Sequence, residues 1–262
     1  MPMRIWTNIK NLVRYRYLIK SLVSQTLRAR YRGSFIGFFW SFLNPLLLML
    51  VYTLVFSVYM KIEMENYTAY LFCGLLPWIW FSSSMAEGVN SIIQGSTLLT
   101  KVPFPPEVLP TVPVISNLVN FLLGLLILFV FLLFLGIKLG IPLVFLPLLI
   151  TLQFLFTLGL ALVSSALNVF FRDVQHILGN FLTLWFFLCP IIYPISLVPE
   201  QLRPLLFLNP LGVMMMAYQD ILFYHRFPGF NQMIIVFLYS ISTFYIGYLV
   251  FDRYRKTLTE EI

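Results

Sequence analysis

The sequence predicts an all-α polytopic membrane protein with six transmembrane helices, and three observations lead there. The chain is 60% hydrophobic, 18% aromatic and only 10% charged, too little polar surface to cover a water-soluble globule. Phe35 to Met60 contains no Asp, Glu, Lys, Arg or His; as a helix it is roughly 39 Å long, enough to cross a hydrocarbon core of about 30 Å. Directly before it, Met1 to Ser34 carries Arg4, Lys10, Arg14, Arg16, Lys20, Arg28, Arg30 and Arg32 without one acid.

The N-terminal arm (1–34) is amphipathic. Ile5, Trp6, Ile9, Leu12 and Val13 recur at helical spacing with Arg4, Lys10 and Arg14 on the other side, so the arm is expected to lie along the membrane surface. The pattern continues through "YLIKSLVSQTLRARYRGS" to Gly33 and Ser34, where the chain can turn into the bilayer. The apolar run that follows is too long and too deep in the chain for a cleaved signal peptide.

Six segments read as spans: Phe35 to Met60, Tyr67 to Gln94, Thr111 to Ile137, Ile141 to Phe170, Val174 to Tyr193 and Asn231 to Phe251. They form one domain, with spans 1–5 over 35–194, an external segment at 195–230, span 6 at 231–251 and a tail at 252–262. An even number of crossings puts both termini on one side. Taking that side as cytoplasmic leaves only Lys61, Lys138, Arg203 and Arg226 outside, of 17 Lys and Arg, and the positive-inside rule fixes the orientation.

"KLGIP" makes the third and fourth spans a tight helical hairpin. The external segment is hydrophobic but broken by prolines. "VPEQLRPLLFL" and "NPLGVMMMAYQDILF" each place Pro in a first helical turn, and Asn209 is a good N-cap for the second. Two short helices fit these lengths, either re-entrant and sheltered by protein or interfacial on the surface. In both arrangements the external face carries Glu200, Arg203 and Asp220, with His225 and Arg226.

The material for an enzyme is thin. No paired carboxylates, H-E-x-x-H or G-x-S-x-G occur, and no Gly is followed by Lys, so the chain holds no P-loop. Cys73 and Cys189 sit in apolar segments without metal or redox spacing. The net charge of +7 gathers at the ends of spans, which argues against nucleic acid. Glu87 is the only acid well inside a span, and a proton relay needs a second titratable partner at similar depth; structural hydrogen bonding or a subunit contact takes precedence.

In the first span Phe38, Phe42, Pro45, Met49, Tyr52, Phe56 and Tyr59 follow at steps of four and three, one continuous helix face. Aromatic faces stack on sugar rings, but from the residues alone a packing seam or lipid face takes precedence over a carbohydrate path. Two cytoplasmic loops are distinctive. "LLTKVPFPPEVLP", with Lys101, Pro103, Pro105 and Glu107, is either a stiff connector able to transmit a push or a simple turn, and "NVFFRDVQHI" offers Arg172 and Asp173 for a local pair or a partner.

"RARYRGSFIGFFWSFLNPLL", "GLLPWIWFSSSM" and "LNVFFRDV", in this order, resemble the permease subunit of ABC-2 type polysaccharide exporters, the O-antigen and teichoic acid group, over essentially the whole chain. The resemblance implies the ABC-2 type transporter fold and a homodimer joined to two copies of a separate nucleotide-binding ATPase subunit, which brings ATP and magnesium. It implies export of a polyprenyl-pyrophosphate-linked polysaccharide through a channel between the permeases of a bacterial inner membrane. In that setting the stripe of Phe38, Phe42, Met49, Tyr52, Phe56 and Tyr59 becomes the expected polysaccharide path. Lys101, Pro103, Pro105, Glu107, Arg172 and Asp173 become the expected ATPase contacts, Glu200, Arg203 and Asp220 the expected external mouth, and Arg28, Arg30 and Arg32 the expected attraction for the pyrophosphate head group. The alternatives are an ABC-2 exporter of a small lipid or drug, or an ion-coupled flippase, which needs intramembrane charged pairs that the spans do not supply.

Overall fold

A computed structural model describes residues 14–32, 37–59 and 64–260. The structure is all-α and multi-pass, and it corrects the number of spans. Among the described residues four helices, not six, are long and apolar enough to cross a membrane: Tyr67–Gly88, Val108–Phe134, Ile141–Phe170 and Phe230–Arg255.

The described part of the arm is helix α1 (Arg16–Tyr31), while the expected face of Ile5, Trp6, Ile9, Leu12 and Val13 and the turn at Gly33 and Ser34 lie outside the described residues; the first apolar run holds α2 (Trp40–Thr53), flanked by a 3₁₀ turn at Gly37–Phe39 and a π-helix at Leu54–Tyr59. Helix α3 (Tyr67–Gly88) is followed by the short α4 (Ser91–Gln94) and α5 (Ser96–Lys101), then α6 (Val108–Phe134). Helix α7 (Leu146–Phe170) continues from a 3₁₀ turn at Ile141–Phe145 and precedes α8 (Val174–Leu188). The chain ends in α9 (Arg203–Leu206), α10 (Pro210–Leu222) and α11 (Phe230–Glu260).

The two runs that fall short of a span are apolar enough but not regular enough. The α-helical part of the first covers about 21 Å before the hydrogen bonding widens to the π pattern. The fifth run stops after about 22 Å. Cys189 precedes Pro190, and its extended backbone (φ −95°, ψ 137°) is the conformation that a following proline imposes.

Helix α3 is the most buried of the four long helices and the pillar of the bundle. Trp80 stacks on Phe121 of α6 at 5.1 Å between ring centroids, and Phe81 meets Phe156 of α7 at 6.0 Å. Where Pro77 interrupts α3, the buried Gln153 of α7 donates to the Pro77 carbonyl at 2.8 Å. Helix α10 is buried from Leu211 to Leu222, so the second broken helix is sheltered by protein rather than spread on a surface, while the first is reduced to the single turn of α9. Asn209 caps α10, accepting from the Gly212 amide at 3.1 Å and from the Trp185 indole at 2.8 Å.

Helices α7 and α11 run in the same direction, with Phe170 and Tyr254 packed at 5.3 Å near one end and Gly159 against Gly247 midway. A Cβ on Gly159 would stand 2.5 Å from the Thr243 carbonyl oxygen, and one on Gly247 would run into the Gly159 backbone. These glycines set how closely the backbones approach.

The arm docks on the bundle. Ile19 and Val23 pack against Phe104, Val108, Leu109 and Val112, so its apolar face meets α6 and the loop before it. One cation then fastens it: Arg30 donates through Nη2 to both carboxylate oxygens of Glu87 at 2.7 and 2.8 Å, and through Nη1 to Asn117 Oδ1 at 3.1 Å.

Two outcomes follow. Gly247→Leu should overpack the α7–α11 crossing at a cost of about 1–3 kcal/mol, seen as a lower melting temperature of the detergent-purified chain. Glu87→Ala should release the arm and raise tryptic cleavage at Lys20 and Arg28 several-fold, and the double reversal Arg30→Glu with Glu87→Arg should restore protection. A cleavage rate unchanged by Glu87→Ala would mean that the ion pair does not hold the arm.

Candidate functional site

The three arginines before the first apolar run have different surroundings. Arg28 and Arg32 are exposed, four residues apart and on one face of the arm; Arg30 lies two residues from each and turns inward to Glu87 and Asn117. Arg28 and Arg32 share an open hollow of about 740 Å³ with Lys20, Tyr17, Ser21 and Ser24, a cationic face studded with hydroxyls and suited to phosphate oxygens. Glu87, which the sequence leaves without a partner, is therefore half of an ion pair in which one Arg30 nitrogen, Nη2, reaches both carboxylate oxygens.

The Pro-rich loop divides in two. Lys101 and Pro103 are exposed, whereas Pro105 and Glu107 are buried. Glu107 lies just before α6 and faces Arg255 of the C-terminal helix, with Nη1 and Oε1 3.5 Å apart. Burial raises the Glu107 carboxyl pKa above its ordinary value, while its own backbone amide and the Arg255 charge pull it back. Arg172 and Asp173, before α8, are exposed.

Sequence reasoning missed Asn168, which is buried at the end of α7. Its Nδ2 donates to Asn90 Oδ1 at 3.0 Å, and its Oδ1 accepts from the Gln175 amide at 3.2 Å, so one side chain joins the loop after α3 to the start of α8. An Asn among apolar residues in "SALNVFF" was the available signal.

Of the expected aromatic path, the side chains of Phe38, Phe42, Met49 and Phe56 lie outside the described residues, as does that of Pro45. Tyr59 is exposed. Tyr52 lines a groove of about 860 Å³ between α2, α3 and α8. It stacks on Phe186 at 5.8 Å, and Phe186 lies 5.5 Å from Trp78. Ser82, Ser83 and Thr183 add hydroxyls to this groove, so it combines ring faces with hydrogen-bonding groups.

At the opposite end of α3 the expected mouth residues pair separately. Glu200 is exposed and stands 3.5 Å from Arg203 (Nη1 to Oε1). Asp220 is nearly buried and takes Arg226 Nε at 2.8 Å and Nη2 at 2.7 Å on the same oxygen. Burial raises the Asp220 carboxyl pKa, and Arg226 opposes the rise. Among the described residues no group of three His, Cys, Asp or Glu stands close enough together to hold a metal ion.

Residues 17–223 match the ABC-2 type transporter family. The chain is 43% identical over 260 residues to the O-antigen export system permease protein RfbA of Myxococcus xanthus, covering 97% of this chain and 98% of that protein. Two proteins of the same description from Klebsiella pneumoniae are 31% and 28% identical over 244 residues, each covering 93% of this chain and 94% of the relative. With a family match over most of its length and near end-to-end similarity to these exporters, the chain belongs to the ABC-2 type transporter family, as a membrane permease homologous to the O-antigen export proteins.

Proposed function

We propose that the chain is the channel-forming permease of an ATP-driven exporter that moves a polyprenyl-pyrophosphate-linked polysaccharide out of the cytoplasm of a bacterial cell. The end-to-end similarity to an O-antigen export permease at 43% identity carries this reading. Two copies of the permease enclose the path, and two copies of a separate ATPase subunit, loaded with ATP and magnesium, supply the energy. Both termini lie in the cytoplasm. The ion contacts of Arg30 and Arg255 at one end of the bundle support placing arm and tail on the same side.

The groove around Tyr52, Trp78 and Phe186 supports a polysaccharide path, because stacked rings and hydroxyls bind sugars weakly enough to let them move on. Arg28 and Arg32 attract the pyrophosphate head group from the cytoplasmic interface; Arg30 is occupied by Glu87 and holds the arm that carries them. Lys101, Pro103, Arg172 and Asp173 are the accessible ATPase contacts. Pro105 and Glu107 back the first of these from inside the protein.

The chain purified from its native host in mild detergent should carry an ATPase subunit in equal stoichiometry, and cells depleted of it should accumulate lipid-linked glycan. A folded chain without a nucleotide-binding partner would overturn the exporter reading. Arg28→Gln with Arg32→Gln should lower export about tenfold or more, the weight of lost charge-assisted hydrogen bonds, with unchanged membrane insertion and ATPase assembly. Full export by the double variant would remove these residues from head-group capture.

A further inference from the structure

The end of the bundle away from the arm holds a cavity that the export reading does not use. It has a volume of about 150 Å³ and is lined by Tyr70, Phe207, Gln219, Asp220, Tyr224 and Arg226, among others. Tyr70 belongs to the first turn of α3, about 25 Å along that helix from Glu87. A volume near five water molecules admits one pyranose ring but not a disaccharide.

Its walls are fixed before any ligand arrives. The Tyr70 hydroxyl donates to the Pro190 and Tyr193 carbonyls at 3.1 and 3.0 Å, and Gln219 Nε2 donates to the Pro190 carbonyl at 2.8 Å. Across the cavity Gln232 donates to the Val213 carbonyl at 3.2 Å. His225 takes a left-handed backbone conformation (φ 52°), reversing the chain so that Arg226 returns onto Asp220. The Arg226 backbone amide also donates to the Asp220 carbonyl at 3.0 Å. The Arg226 guanidinium lies 4.8 Å from the centre of the Tyr224 ring, and its side chain remains largely exposed.

A carboxylate, a guanidinium and aromatic rings in a space of this size match the needs of a sugar. Adjacent hydroxyls donate to the carboxylate and accept from the guanidinium, while the C–H face of the ring lies on an aromatic side chain. The acid and the base cancel one another, so the cavity favours a neutral sugar over a uronic acid or an amino sugar.

We propose that this cavity is a subsite at the exit end of the permease for a single neutral pyranose unit of the exported glycan, with Asp220 and Arg226 binding its hydroxyls. The assignment rests on the glycan-export reading. A unit held there opposes backward slippage of the polymer between power strokes.

The test uses the full chain with its ATPase in exporting cells. The photo-crosslinking amino acid p-benzoylphenylalanine replaces Phe207 beside the cavity or, separately, Tyr52 in the groove, and captured sugar is identified after acid hydrolysis of the purified chain. Both positions should capture neutral sugar. Asp220→Asn should lower capture at position 207 about fivefold without changing capture at position 52; Tyr224→Ala serves the same purpose should the first variant fail to accumulate. Capture at 52 with none at 207, or capture at 207 indifferent to both variants, would overturn the subsite and leave export standing. No sugar at either position would overturn both.

Discussion

The contact between Arg30 and Glu87 governs the arrangement of the end of the bundle where the arm docks. A carboxylate at the end of a buried helix is costly unless a cation answers it, and the nearest suitable cation lies on the arm, 57 residues earlier. Because Arg30 makes that contact and also donates to Asn117, the arm is fixed to α3 and α6 at once. Its apolar face then closes over Val108 and Val112, and the face opposite, with Arg28 and Arg32, is left outward. One ion pair thus decides both where the arm lies and which of its cations are available.

The same end is tied together by two further polar contacts. Asn168 bridges the segments around Asn90 and Gln175, and Arg255 answers the buried Glu107. The arm, the segments around Asn90, Glu107 and Gln175, and the C-terminal helix are consequently attached to one another at one end of the bundle. The exposed tip at Lys101 to Pro103 has prolines and a buried acid directly behind it, which stiffen the loop from inside.

Much of this was legible in the sequence, and the parts that were not share a physical cause. Apolar runs, cap residues and prolines are local, so the Asn209 cap and the long helices could be read from composition and spacing. The first and fifth runs contain enough apolar residues to span, but the π turn after Thr53 and the stop at Cys189 are matters of backbone geometry that hydropathy does not register. The division among the arginines was available in principle, since helical spacing places Arg28 and Arg32 together and Arg30 nearly opposite. The identity of their partners was not, because Glu87 and Asn117 come from distant helices. The return of Arg226 onto Asp220 depended on the left-handed turn at His225, a position where no glycine announced it.

The two ends of α3 solve one electrostatic problem in the same way. In each, the acid belongs to a packed helix, Glu87 on α3 or Asp220 on α10, and the cation belongs to a segment at the periphery. Detaching the peripheral segment would leave a partly buried carboxylate without its cation. The peripheral segments are therefore held in one position, the arm by its ion pair together with its apolar face. The wide faces of the long helices are left exposed, while the arm and the turn at His225 keep a fixed geometry.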